Sequence, residues 1–253
     1  MNDPALHVVG LTKDYPGGIR ALEDVSFDAP RGELTTLIGP SGSGKTTILK
    51  IVAGLLEPTA GEVLVNGRPV RGPGPERAFV FQDFALMPWA TVLRNVGFGL
   101  ELRHVPREER EAVAREQLAK MHLTGFEHVY PHQLSGGMRQ RVGLARALAV
   151  NADILLMDEP FASVDEQIRR KFQDDLLRLL SEERKTVLFV THSIEEAAYL
   201  SDQVVILTRG PARVSKVVRP GIDRHDAEAV RRSPAYLDAV EGIWDELRGY
   251  LET

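Results

Sequence analysis

The chain contains no cysteine. Disulfides and thiolate metal sites are thereby excluded, and the composition is compatible with a reducing cytosol. A basic excess is also lacking: 31 Lys and Arg stand against 36 Asp and Glu, a formal net charge of −5. No overall positive field exists to draw in nucleic acid, so no nucleic-acid partner is expected. No apolar run approaches the roughly 20 residues needed to span a bilayer. The opening stretch, Met1 to Gly10, carries an Asp and a Pro and no basic segment leading into an apolar one, so no secretory signal is expected. A role at a membrane would have to pass through a partner. Internal repeats and low-complexity segments are absent as well.

What is present reads as an ordinary globular composition, 43% hydrophobic and 26% charged over 253 residues, enough for one large domain or two small ones. Strand and helix signals alternate, which predicts an α/β fold with a largely parallel sheet. Short apolar runs at Leu34–Ile38, Ala78–Phe81, Ile154–Met157, Thr186–Val190 and Val204–Leu207 predict strands, several buried on both faces. Residues 5–30 and 61–70 instead alternate apolar and polar, with turns at Pro16-Gly17-Gly18 and Asn66-Gly67, and predict an antiparallel sheet beside that core. Residues 91–150 carry almost no strand signal and read as a helical insertion. Pro106 opens a charged helix, Arg107 to Lys120, whose charges are expected to form a solvated face. A second helix follows Ser135. In the tail, Ser233-Pro234 is a helix start, and Tyr236, Val240, Ile243, Trp244, Leu247 and Leu251 then recur at helical spacing. That helix is expected to pack on its own domain.

Gly39-Pro40-Ser41-Gly42-Ser43-Gly44-Lys45-Thr46 fits G-x-x-x-x-G-K followed by Ser or Thr, and Thr47 continues it. The run lies after the strand Leu34–Ile38 and before a helix expected from Thr46 through Val52, which is the context the chemistry needs. Glycines allow a turn whose backbone N–H groups converge on phosphate oxygens, and the helix N-terminus adds favourable partial charge. Lys45 would reach the β- and γ-phosphates and Thr46 would offer a hydroxyl to Mg²⁺, so binding of a nucleoside triphosphate is expected. Ile154-Leu155-Leu156-Met157-Asp158-Glu159 is a buried strand ending in two carboxylates. Asp158 would hold Mg²⁺ through water, and Glu159 would polarise the attacking water as general base.

Leu134-Ser135-Gly136-Gly137-Met138-Arg139-Gln140-Arg141 resembles the signature of the ATP-binding cassette ATPases, whose general form is L-S-G-G-Q. The resemblance runs from residue 6 to about 215 and implies a P-loop NTPase fold: a RecA-like parallel core, an N-terminal antiparallel β subdomain and a helical insertion bearing the signature. It implies an ATPase domain over residues 6–220, with its helical segment at about 88–150 and a helical tail over 221–253. ATP and Mg²⁺ are the implied cofactors. By the same resemblance Tyr15 is similar to the aromatic that stacks on adenine, Gln82 to the Q-loop glutamine that also reaches the metal, Asp165 to the D-loop aspartate and His192 to the switch histidine. Read without the family, Tyr15 is more often a packed strand-end aromatic than a base platform, and His192 could be an ordinary helix-capping residue. Ser135, Gly136 and Gly137 stand at a helix start and form a second phosphate site. In the family two chains meet head to tail, each lending its signature to the other's ATP, which implies a homodimer. Two departures stand out: Met138 replaces the usual Gln, as in one branch of the family, and Phe161-Ala162-Ser163-Val164-Asp165 replaces the usual small-Ala-Leu-Asp form.

Gln82-Asp83-Phe84-Ala85-Leu86-Met87-Pro88-Trp89, then Thr91-Val92-Leu93-Arg94-Asn95-Val96 and Tyr130-Pro131-His132-Gln133, are similar to the nitrate/sulfonate/taurine importer ATPases. Relatives that import pyrimidine precursors of thiamine share much of this. The branch implies two transmembrane permease subunits, an extracytoplasmic solute-binding protein, and a peripheral position on the cytoplasmic side of the cell (inner) membrane. No extra C-terminal β domain of the kind carried by sugar-importer ATPases is expected. Trp89 is either a core aromatic of the helical segment or part of a groove that receives the permease. Two readings from other classes stay open. A soluble cassette ATPase acting on DNA would carry a long heptad insertion, where this interval holds only a short helical segment. A translation factor would carry two cassettes, where this chain has one.

Overall fold

The computed structural model describes residues 4–162, 164–224 and 227–251. Met1–Asp3, Ser163 of the D-loop stretch, and His225, Asp226, Glu252 and Thr253 of the tail lie outside the described residues. In chain order the elements are β1 (Leu6–Tyr15), β2 (Ile19–Ala29), β3 (Leu34–Ile38), α1 (Lys45–Val52), β4 (Ala60–Val65), β5 (Arg68–Pro69), β6 (Arg77–Val80), α2 (Val92–Leu102), α3 (Arg107–Lys120) and α4 (Gly136–Ala149). They continue as β7 (Ile154–Asp158), α5 (Glu166–Glu183), β8 (Thr186–Val190), α6 (Ile194–Leu200), β9 (Gln203–Leu207), β10 (Val214–Val218), α7 (Ala227–Val230) and α8 (Pro234–Leu251). Two compact units result, one from Met1–Gly74 with Gln173–Thr253 and one from Pro75–Phe172. The fold is an α/β P-loop NTPase with an N-terminal antiparallel sheet and a helical insertion.

The first unit holds the antiparallel sheet in the order β2-β1-β4-β5. Its β4–β5 hairpin turns on Asn66 (φ 49) and Gly67 (φ 72), the pair of positive φ angles that a two-residue hairpin loop needs. The same unit carries parallel pairs of β3 with β8 and with β9, and β10 closes on β9 antiparallel. Every residue of β3, β8 and β9 is buried, so runs such as Thr-Val-Leu-Phe-Val have apolar neighbours on both faces.

The second unit pairs β6 with β7 in parallel and packs α2, α3 and α4 around one another. Thr91 opens α2 by accepting from Arg94 N–H, and Ser135 opens α4 by accepting from Met138 N–H. In α3 only Ala114, Gln117 and Leu118 are buried. Its outer face carries Arg107–Glu111 and Arg115–Glu111 pairs at 2.7 and 2.9 Å, the solvated charged face expected.

The tail helix α8 packs on α6, β9 and β10 within the first unit. Ser233 Oγ accepts from Tyr236 N–H at 3.2 Å, and Ser215 Oγ donates to Glu246 at 2.5 Å. Tyr236, Ile243 and Leu247 are buried, but Trp244 is 49% exposed, which corrects its place in the apolar stripe. Residues 236, 240, 243 and 247 follow one helix face, and Trp244 is rotated about 100° from Ile243, onto the flank of that face.

Candidate nucleotide site

In the first unit the phosphate loop follows β3 and ends on α1, which starts one residue earlier than expected, at Lys45. Gly44, the residue before α1, has φ +74, and a Cβ there would stand 2.5 Å from Leu22 Cδ2; only glycine fits. No side chain caps α1. Lys45 is folded over its own loop, its ammonium donating to Gly39 O at 2.8 Å, Pro40 O at 2.9 Å and Ser43 Oγ at 3.2 Å. Ser41 and Gly42 are exposed, and Pro40, Ser43 and Lys45 are buried. Tyr15 ends β1 with its ring partly exposed and its hydroxyl 3.2 Å from Thr47 Oγ1, on the first turn of α1. His192 is exposed one residue beyond Thr191, at the end of β8. Because Leu37 of β3 is in register with Val190 of β8, His192 leaves the sheet at the same edge as the phosphate loop. Ligands of open α/β sheets bind at that edge.

In the second unit Val80 of β6 is in register with Met157 of β7, so the residues beyond both strands lie side by side. Asp158 is buried at the end of β7. Glu159 follows with φ 44, a left-handed backbone that a glutamate adopts only under constraint. Gln82 Nε2 comes within 3.5 Å of Glu159 Oε2. At the start of α4, Ser135 is exposed and Gly136 and Gly137 half-buried. Ser135 Oγ accepts from Met138 N–H at 3.3 Å and keeps its own O–H to donate outward. Asp165 is exposed, and its carbonyl accepts from Arg169 N–H at 2.7 Å. Of the described D-loop residues, Phe161 and Val164 are buried. Phe161 meets Phe172 edge-on at 5.4 Å, and a Cβ on Gly137 would lie 4.0 Å from Val164 Cγ1.

Four further residues, Phe84, Ala85, Arg146 and Asn95, shape the site without having been singled out for it. Phe84 and Ala85, two and three residues past Gln82, have φ of 61 and 45. Their carbonyls are held by Arg146 of α4, at 2.7 and 2.6 Å, while the Arg139 guanidinium lies 5.4 Å from the Phe84 ring centroid. Burial pulls the Arg146 guanidinium below its ordinary pKa. Asn95 is fully buried and fixes the Met87–Thr91 turn: its Oδ1 accepts from Met87 N–H at 2.8 Å, and its Nδ2 lies 3.1 Å from the carbonyls of Met87, Ala90 and Thr91. Trp89, on this turn, is 74% exposed, so it is no core aromatic. Asn95 is part of the quoted Thr91–Val96 run, but its inward aim is invisible without coordinates. Asn95→Ala leaves these groups without their buried partner and is expected to destabilise the chain by on the order of 3 kcal/mol in urea titrations. A loss under about 0.5 kcal/mol, the range of an ordinary surface change, would show that the turn holds itself.

A model of the ABC transporter family matches residues 22–162, more than half of the chain. The chain belongs to the ABC transporter family. It is 50% identical over 222 residues to an uncharacterized ABC transporter ATP-binding protein of Methanocaldococcus jannaschii, covering 87% of this chain and 83% of that one. It is 43% identical over 244 residues to a taurine import ATP-binding protein of Pseudomonas putida, with 94% and 93% covered. A Chromobacterium violaceum taurine import ATP-binding protein gives 46% over 235 residues, with 90% of each covered. Among solved structures, a dimeric ATP-binding cassette in a post-hydrolysis state with ADP and phosphate superposes with a TM-score of 0.76 at 35% identity, over 85% of this chain and 98% of that one.

ABC ATPases hydrolyse ATP with magnesium, and the residues present fit both. The start of α1 has no side-chain cap to compete with a phosphate, and Lys45 already lies over the loop. No group of three or more His, Cys, Asp or Glu able to hold a metal occurs among the described residues. A metal here would rest on few protein oxygens and be completed by phosphate oxygens, as magnesium is commonly held. No helix of the described residues is long and apolar enough to cross a membrane.

Proposed function

We propose that this chain is the ATP-hydrolysing subunit of an importer for a small solute of the nitrate, sulfonate or taurine type. Two copies act together at the cytoplasmic face of the cell membrane with two permease subunits, which receive solute from an extracytoplasmic binding protein. The observation that carries the hydrolytic part is the pairing of β6 with β7, which brings Gln82 to Glu159. The importer branch is supported by the similarity to taurine import ATP-binding proteins, which spans nine-tenths or more of both chains.

In this reading Tyr15 stacks on the adenine, and Gly39 to Thr47 wrap the phosphates with backbone N–H groups. Lys45 exchanges its loop carbonyls for the β- and γ-phosphate oxygens. Thr46, Asp158 and Gln82 would hold magnesium, which when bound neutralises charge developing on the phosphates. Glu159 takes a proton from the attacking water, with Gln82 beside it to hold that water in place. His192 donates to the γ-phosphate. The partner copy's Ser135, Gly136 and Gly137 close the site from the other side, with the Ser135 O–H directed at the phosphate.

Trp89 is the point of contact with the permease. It is an exposed aromatic next to a proline, on a turn that Asn95 holds rigid, so little entropy is lost when a partner covers it. Trp89→Ala is expected to weaken permease binding by about 2 kcal/mol, the size of an interface anchor. Nucleotide affinity and melting temperature should stay at wild-type values, since the ring is not in the core. Unchanged permease capture by the variant would remove Trp89 from the interface. Reconstitution tests the function itself: the chain, co-purified with its permease from native membranes, should drive ATP-dependent uptake of a sulfonate or nitrate into vesicles. A co-purified permease that exports its solute would refute the importer reading.

A further inference from the structure

Arg231 follows α7, well outside the motifs, yet its guanidinium is the end of a buried hydrogen-bond chain that leads to the residues flanking His192. Its Nη2 donates to Gln173 Oε1 at 3.0 Å and reaches Asp174 Oδ1 at 3.4 Å. The guanidinium carbon lies 3.6 Å from the Tyr199 ring centroid, and Tyr199 O–H donates to Asp174 at 2.6 Å. Gln173, only 3% exposed, donates from Nε2 to Glu196 Oε1 at 3.3 Å. Glu196 is 7% exposed, and its Oε2 accepts from Thr191 Oγ1 at 2.6 Å. Thr191 Oγ1 in turn accepts from Ser193 N–H at 3.1 Å, and Ser193 Oγ accepts from Glu196 N–H at 3.1 Å. His192 sits between two residues whose side chains are both committed to this network. All of these residues belong to the first unit.

We propose that Arg231 is a positioning residue for His192, acting through Gln173, Glu196 and Thr191. The inference rests on the ATP-hydrolysing reading above. Its physical basis is the polarity of the Gln173 amide. An amide side chain can turn over and exchange its oxygen for its nitrogen. Arg231 offers only donors, so it fixes the oxygen toward itself and the NH₂ toward Glu196. Without that donor the amide can present its oxygen to the Glu196 carboxylate, where two acceptors repel. Glu196 then loses its hold on Thr191 O–H, and the Thr191–Ser193 turn that aims the His192 ring loosens. The stack of Arg231 on Tyr199 keeps the guanidinium in register, with its other contact on Asp174. The tail thereby tunes a step of hydrolysis without touching nucleotide.

The test is steady-state ATP hydrolysis by the purified chain, with melting temperature followed alongside. Arg231→Met is expected to lower kcat by about tenfold and to leave KM for ATP within about twofold, because orientation is lost and binding is not. Gln173→Leu breaks the same chain while preserving the Arg231–Tyr199 stack, and the same loss is expected from it. The double variant should be no worse than either single one, as for two cuts in one chain. Arg231→Lys, which still offers a donor to Gln173 Oε1, should recover most of kcat. Wild-type kcat in Arg231→Met, additive losses in the double variant, or a Lys variant as poor as Met would each overturn the inference. His192→Ala separates the two claims. Lost hydrolysis there with unchanged hydrolysis in Arg231→Met overturns the tail's role alone, whereas a wild-type chain that hydrolyses no ATP overturns both.

Discussion

Glu159→Gln is expected to abolish ATP hydrolysis, by a factor of about 10²–10⁴, while ATP binding stays intact. An amide nitrogen cannot take the proton from water, but it matches the carboxylate in size. The substitution leaves the backbone demand at residue 159, φ 44, as it was, because Gln and Glu meet the same steric limits there. The phosphate loop, Lys45 and Tyr15 belong to the other unit and keep their sequence in the variant. ATP that binds and is not cleaved should accumulate between two copies, so the chain should move from monomer to dimer. Size-exclusion chromatography with and without ATP reads this directly. A variant that stays monomeric in saturating ATP would remove the shared-nucleotide arrangement. One that still hydrolyses at the wild-type rate would remove Glu159 as the base.

Mixing two dead variants should restore activity. Ser135→Arg puts a bulky cation where the signature offers a hydroxyl to the partner's nucleotide, and Lys45→Ala removes the phosphate-loop ammonium. Each homodimer has both sites damaged and is expected to fall to background. In a mixed dimer of the head-to-tail kind both lesions fall on one site. The other site joins an intact phosphate loop to an intact signature. Partial recovery of ATP hydrolysis, growing with the mixed fraction, is therefore expected. Sites built within a single chain predict no recovery at any ratio, and that result would end the head-to-tail model.

How legible the molecule was depended on whether a residue's role is local. The parallel strands were visible because a run such as Ile154–Met157 can be buried on both faces only inside a sheet. β6 lies one residue earlier than expected, β9 starts one residue earlier, and β7 runs one residue further. The hairpin at Asn66-Gly67 was visible because its turn geometry needs those residue types. β10 escaped because Val214–Val218 carries Ser215 and Lys216 in a short edge strand and is only partly buried. Trp244 was misplaced because helical spacing gives a face its width only approximately. The places of Lys45 on its loop and of Asp158 and Glu159 at the end of β7 could be read, because sequence ties them to a strand end or a loop. Arg146, Asn95 and Arg231 could not. Each bonds to backbone carbonyls or an amide brought close by folding, and nothing in the adjacent sequence marks such a partner.

The uncapped first turn of α1 ties the folding equilibrium to the supply of nucleotide. A ligand that binds only the folded chain deepens the native well. Above the dissociation constant, each tenfold rise in free ligand adds about 1.4 kcal/mol. By that linkage a fall in ATP raises the unfolded fraction and gives quality-control proteases access. In the proposed importer, uptake capacity would then follow the means of powering it through the lifetime of the protein, on a timescale far slower than catalysis.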